Sequence, residues 1–229
     1  MELVALRILV LVFSVVVHEV AHGWVAWRLG DPTARDAGRL TLNPVLHVDV
    51  FGSIVVPVVL VLAGGIPFGW AKPVPVRPDR LRDPWNDQPR VAAAGPASNL
   101  ILAAAAAVGL GATIALGGIP SWMLVDGARP GPGTFLFELF QFGILLNVVL
   151  ALFNLVPLPP LDGSWVLQRF LPAEARIRYF RLQRFGLFPV IAFIMLANFT
   201  PLGGILQGAL ALAMRPFLAL AERVAVLLG

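Results

Sequence analysis

The first long apolar run of the chain carries His18-Glu19-Val20-Ala21-His22, an H-E-x-x-H pattern. On a helix, positions four apart share a face, so both imidazoles can reach one ion while the intervening carboxylate lies beside it. The spacing suits zinc, and Glu19 is placed to act as general base toward a metal-activated water. Patterns with three fixed positions also arise by chance, and a hydrogen-bonded polar cluster or a proton relay would use the same residue types. The setting weighs against both. Ionisable side chains at membrane depth are costly to insert and persist where they have a partner or a task.

Two histidines leave zinc short of protein ligands, because a catalytic site needs a third together with an open position for water. The chain has no cysteine, which excludes disulfides and thiolate sites. The third ligand is therefore sought among His47, Asp49, Asp126 and Asp162. Asp162 is the best placed, closing the run Asn154-Leu-Val-Pro157-Leu-Pro-Pro-Leu161-Asp162-Gly163. An aspartate after a Pro-rich turn also makes an ordinary helix cap. His47 reads as an interfacial loop residue rather than a ligand.

Taken in order, His18-Glu19-x-x-His22, then Gly95-Pro96-Ala97-Ser98-Asn99, then Asn154-x-x-Pro157-x-x-x-Leu161-Asp162-Gly163 resemble the site-2 protease family of intramembrane zinc metalloproteases. The stretch Phe68-Gly-Trp-Ala-Lys-Pro-Val-Pro-Val76 is similar to a branch of that family, and the resemblance spans about residues 10 to 170. It implies that His18, His22 and Asp162 hold one zinc per chain, that Glu19 is the general base, and that the substrate is a membrane-anchored protein cleaved within its transmembrane helix. Members of the family often carry a PDZ or CBS domain; none fits this chain, which resembles the compact form.

An oxyanion in peptide hydrolysis needs donors, and the amides of Asn99 and Asn154 are the neutral groups on hand. Interhelical hydrogen bonding is the other use for such residues, and the resemblance favours a role in holding the substrate backbone. Between the first two long spans, Lys72-Pro73-Val74-Pro75-Val76 is expected as a strand forming one wall of a substrate cleft. Pro73 and Pro75 remove donors from one edge and leave Val74 and Val76 to donate from the other. A helix to be cleaved must first be held extended, and strand addition would do this.

The elements that position these residues follow from apolar run lengths. Hydrophobic residues make up 58% and charged residues 13% of the 229, against roughly 25% charged in soluble domains, and mean hydropathy is +0.83. The chain reads as an all-α integral membrane protein, one domain over residues 1–229, with five to six transmembrane or re-entrant helices and a small β element. Spans of about 20 apolar residues are expected at about 8–27, 91–116 and 135–156, a short helix from Asp162 to about Phe170, and a helical hairpin over about 185–229 broken at Asn198 to Gly204. The catalytic core is placed at about 8–170; residues 171–229 offer only hydrophobicity. Phe51 to Ile66 is expected to enter the membrane and return, as a re-entrant loop or a second leg.

The net charge of +4 reflects arginines between apolar runs, a matter of topology and not of nucleic-acid binding. Arg28, Arg35, Arg39, Lys72, Arg77, Arg80, Arg82, Arg90, Arg169, Arg176, Arg178, Arg181 and Arg184 fall on the face shared by the H-E-x-x-H pattern and Asp162, while the loop from Gly117 to Thr134 has only Arg129. The positive-inside rule then makes the active-site face cytoplasmic, in the cell membrane. A metal-ion or proton transporter using the same His, Glu and Asp cluster is the competing reading, and it leaves Asn99, Asn154 and the Pro-rich approach to Asp162 unexplained.

Overall fold

The structure, a computed structural model, describes residues 2–49, 71–119 and 131–229. Its helices are α1 (Glu2–Arg28), α2 (Thr33–Asp36), α3 (Pro84–Ala115), α4 (Pro132–Asn154), α5 (Asp162–Gln168), α6 (Ala173–Phe180), α7 (Phe188–Phe199) and α8 (Leu202–Leu228), with single 3-10 turns at Pro44–His47, Pro78–Arg80 and Arg181–Phe185. The chain is all-α as expected. The helices α1, α3 and α4 are long and apolar enough to cross a membrane, and a fourth crossing arises if Glu174–Phe185 and Phe188–Phe199, which meet at 86°, form one broken span.

Helix starts follow local chemistry. Pro84 opens α3, where a missing N–H costs nothing, and the Asp83 carboxylate caps it by accepting from the Asn86 backbone. The hydrogen bond from the Asn86 side chain holds the Asp83 carboxyl below its usual range, as the Arg77 guanidinium does for Asp79. Pro132 opens α4 in the same way.

Helix α3 is the central element, touching α1, α4, α5 and α8. Its small residues set the spacing. Ala103, Ala107 and Leu110 of α3 pack with Ile144 and Val148 of α4 and Ala221 of α8 in one buried cluster. A Cβ at Gly109 would run into the Phe140 ring, and one at Gly111 into the Ala221 carbonyl and Val224. In a bilayer, where lipid is as apolar as leucine, such close backbone approach is what holds helices together. Residues past 171 therefore add a packing partner for the catalytic helices as well as hydrophobicity. The outer faces are apolar: Ile8, Leu9, Leu11, Val12 and Phe13 of α1 are all exposed.

One expectation is not met among the described residues. No strand is present among the described residues, so the small β element is not found there. Residues 72–76 run irregularly because their polar groups are taken up by neighbours other than a strand: Lys72 N–H donates to His47 O, Arg39 donates to Lys72 O, Val74 N–H donates to the Glu19 carboxylate and Arg77 N–H to Asp31. The expected entry of Phe51 to Ile66 into the membrane lies outside the described residues, as does Asp126.

Candidate metal centre

Four helices converge on the H-E-x-x-H turn of α1. The Nε2 atoms of His18 and His22 lie 3.0 Å apart. From α5, Asp162 brings Oδ2 to 3.2 Å from His18 Nε2 and Oδ1 to 3.4 Å from His22 Nε2. A tetrahedral zinc with bonds of about 2.0–2.2 Å separates its ligand atoms by roughly 3.3 Å. The three groups are thus spaced as ligands of one ion, and no other set of three such groups among the described residues is.

The protons on the two imidazoles can be assigned from groups that only accept. His22 Nδ1 lies 2.7 Å from the backbone oxygen of Val91 on α3. A carbonyl cannot donate, so Nδ1 carries a proton, and in the neutral ring Nε2 presents a lone pair. The His18 proton is fixed through the side chains of Asn147, Ser14 and Asn99. Asn147 on α4 lies against the Gly143 carbonyl at 2.9 Å, which fixes its Nδ2 on that side. A second Nδ2 proton points to Ser14 Oγ at 3.0 Å. Asn147 Oδ1 then accepts from Asn99 Nδ2 at 2.8 Å, and Asn99 Oδ1 is left to accept from His18 Nδ1 at 2.6 Å.

With both rings neutral, as metal ligation demands, both Nε2 atoms are lone pairs facing a carboxylate. The buried Asp162 Oδ2 has no hydrogen-bond partner despite its closeness to His18. Three such groups converging need positive charge among them, either a proton on an imidazole or a metal ion, and two imidazoles with one carboxylate are a donor set that fits zinc.

Backbone approach makes this possible. A Cβ on Gly95 of α3 would overlap both imidazoles, and one on Gly163 would strike the Leu155 and Val156 carbonyls. Pro96, next along α3, has no N–H to return to the carbonyl of Ala92, a residue that lines the site. The cavity beside the donors has a volume of about 300 Å³ and is lined by Glu19, Val74, Asn154 and Trp165 among others.

The sequence-derived candidates separate into three groups. His18, His22 and Asp162 come together. Glu19 and Asn154 line the cavity; Glu19 Oε2 accepts the Val74 N–H at 2.8 Å, and Asn154 donates one N–H to Leu150 O. Asn99 is 0% exposed and lies behind His18 with its amide engaged at both ends, rather than on the open side. Val74 is buried and turned toward Glu19; Val76 packs near Ala26, Leu81 and Val91 while also lining the cavity. His47 is buried in its own loop against Thr41 O, away from the cluster. Asn147 and Ser14 escaped sequence reasoning; an asparagine within the apolar run of α4, seven residues before Asn154, was the available signal.

Similarity to known proteins agrees with this centre. Residues 123–197 match the model of Peptidase family M50. Over 203 residues the chain is 38% identical to the Bacillus subtilis protein named "Putative zinc metalloprotease YwhC", covering 89% of this chain and 84% of that one. It is 31% identical over 185 residues to "Putative zinc metalloprotease Rip2" of Mycolicibacterium smegmatis, covering 80% of this chain and 63% of the relative. No solved structure matches at a comparable level of significance. With its helices apolar enough to span a bilayer and its His-His-Asp cluster on them, the chain belongs to peptidase family M50, the site-2 protease type of zinc metalloprotease.

Proposed function

We propose that the protein is an intramembrane endopeptidase that cleaves a transmembrane segment of a membrane-anchored substrate, with His18, His22 and Asp162 holding one zinc and Glu19 as general base. The observation that carries this reading is the convergence of two imidazoles and a carboxylate, 3.0–3.4 Å apart, on helices suited to a membrane, with a second carboxylate lining the same cavity.

When bound, zinc supplies a Lewis acid and brings water toward a pKa of about 7. Glu19 then takes the water proton at Oε1, which has no protein partner among the described residues, while Oε2 stays on the Val74 N–H. The same carboxyl returns the proton to the departing amine. Asn154, with one N–H committed to Leu150 O, keeps a second donor for a substrate carbonyl. Asn99 acts through His18 and not on the substrate. Of the strand candidates, Val74 serves the base, and Val76 is the residue left to pair with an extended substrate. The Arg-rich end of the bundle faces the cytoplasm under the positive-inside rule, which puts the site near the cytoplasmic face of the cell membrane.

Comparing membrane-anchored fragments in cells carrying the wild type and Glu19→Gln tests the reading. The variant is expected to keep its zinc and lose all cleavage. Metal flux through the protein in proteoliposomes, with no membrane protein cut, would replace the protease by a transporter.

A further inference from the structure

A second cavity of about 350 Å³ adjoins the first, and Gln88 and Trp165 line both. Its walls combine the aromatic rings of Trp85, Trp165 and Phe180 with prolines and with Arg169 and Arg176. Trp165 and Phe180 meet edge to face at 5.7 Å, and Arg176 lies 3.7 Å over the ring of Trp85, closing that side as a cation on an aromatic face. Two residues of this lining each carry a buried polar atom without a partner, the acceptor Gln88 Oε1 and the donor Gln168 Nε2. Gln168 is only 5% exposed. A buried amide group left unpaired is costly, so such atoms imply something that pairs with them.

We propose that this second cavity is the subsite for the unwound substrate backbone next to the scissile bond, taking one large apolar side chain between Trp85, Trp165 and Phe180. An extended peptide offers one N–H and one C=O per residue, the complement of Gln88 Oε1 and Gln168 Nε2. A helix opened for cleavage loses its own hydrogen bonds, and in an apolar setting those groups need protein partners. An acyl chain would fill the space but leave both amides unpaired. The two cavities share Gln88 and Trp165, so a chain held at the metal centre has the second cavity beside it. The inference rests on the protease reading and adds to it a preference for a large apolar residue a few positions from the cut.

The test uses the full zinc-loaded chain in nanodiscs with synthetic transmembrane peptides of about 30 residues, identical except for Ala or Phe at successive positions around the centre. The wild type is expected to favour Phe at one position, and Gln88→Leu and Gln168→Leu to raise KM about tenfold with zinc content unchanged. Unchanged KM and unchanged side-chain preference in both variants would overturn the subsite. If the wild type cuts none of the peptides and binds them no better than a peptide-free control, the protease reading itself fails. A second measurement does not depend on the variants folding. In the Glu19→Gln chain, a peptide bearing a photoreactive benzoylphenylalanine at the favoured position should crosslink within residues 85–89 or 165–180. Crosslinks confined elsewhere, or labelling of those residues by a photoreactive phospholipid that the peptide does not displace, would assign the cavity to another occupant.

Discussion

The two sides of a single turn of α1 are held in opposite ways. Behind His18 stands a ladder of buried side chains, Asn99, Asn147 and Ser14, each link between 2.6 and 3.0 Å, anchored on the Gly143 carbonyl. Beside it, Glu19 is held by one backbone N–H from an irregular segment. That segment is tied in turn by backbone hydrogen bonds to Arg39, His47 and Asp31. A metal ligand must present one tautomer in one orientation, which a rigid polar network on packed helices supplies. The role proposed for Glu19, accepting and then returning a proton, requires a change of partners, and a single contact on a loop allows it. The comparison predicts that damage behind His18 reads out as metal affinity, whereas damage beside Glu19 reads out as rate at constant metal.

The largest break is at the ligands themselves. Asp162→Ala leaves two lone pairs facing each other, and zinc affinity should fall by more than the roughly hundredfold that outer partners command, measured by competition with a chromogenic chelator. One step back, Asn147→Leu frees Asn99 to turn over and present Nδ2 to His18. Affinity for zinc is expected to drop about 10- to 100-fold although no ligand has been touched. Retention of wild-type affinity would show that the ladder is packing and not orientation.

The division between ligands and ladder also marks what could be read from sequence. His18, Glu19, His22 and Asp162 were legible because a helix fixes what positions four apart can share, and the Asp-Gly pair after a Pro-rich turn is locally conspicuous. The long helices were legible because a bilayer sets a minimum apolar length. The use of Asn99 was not. Its position in the chain is compatible with either side of the site, and only the packing of α3 on α1 and α4 puts it behind the imidazole. The direction of Val74 N–H was missed for a related reason: counting which edge two prolines leave able to donate presumes a neighbouring strand, and here the neighbour is the Glu19 carboxylate. Gln88 and Gln168, 80 residues apart, carry no local signal that they line one cavity.

Beside Glu19, Val74→Pro removes the one N–H that holds the carboxylate. Zinc content should stay at the wild-type level, with kcat about tenfold lower, the loss expected for one hydrogen bond to a charged group. Loss of metal in this variant would mean that the segment holds the ligands as well, and the contrast between the two sides of the turn would disappear.

The smallest effect sharpens the ladder. Ser14 Oγ and Gly143 O both accept from Asn147 Nδ2, but only one of them can determine which way the amide faces. A hydroxyl donates or accepts as its neighbour requires, so it would tolerate either orientation; a carbonyl tolerates only Nδ2. Ser14→Ala therefore leaves the direction of every hydrogen bond in place, with Asn99 Oδ1 still on His18, and strands one buried N–H. The expected cost is about 1 kcal/mol of stability, typical of interhelical bonds in membranes, and a change in zinc affinity of less than about fivefold, below the range for orienting partners. Chelator competition on Ser14→Ala beside Asn147→Leu separates the two acceptors. Equal losses would place the hydroxyl, and not the Gly143 carbonyl, at the head of the chain that assigns the His18 proton.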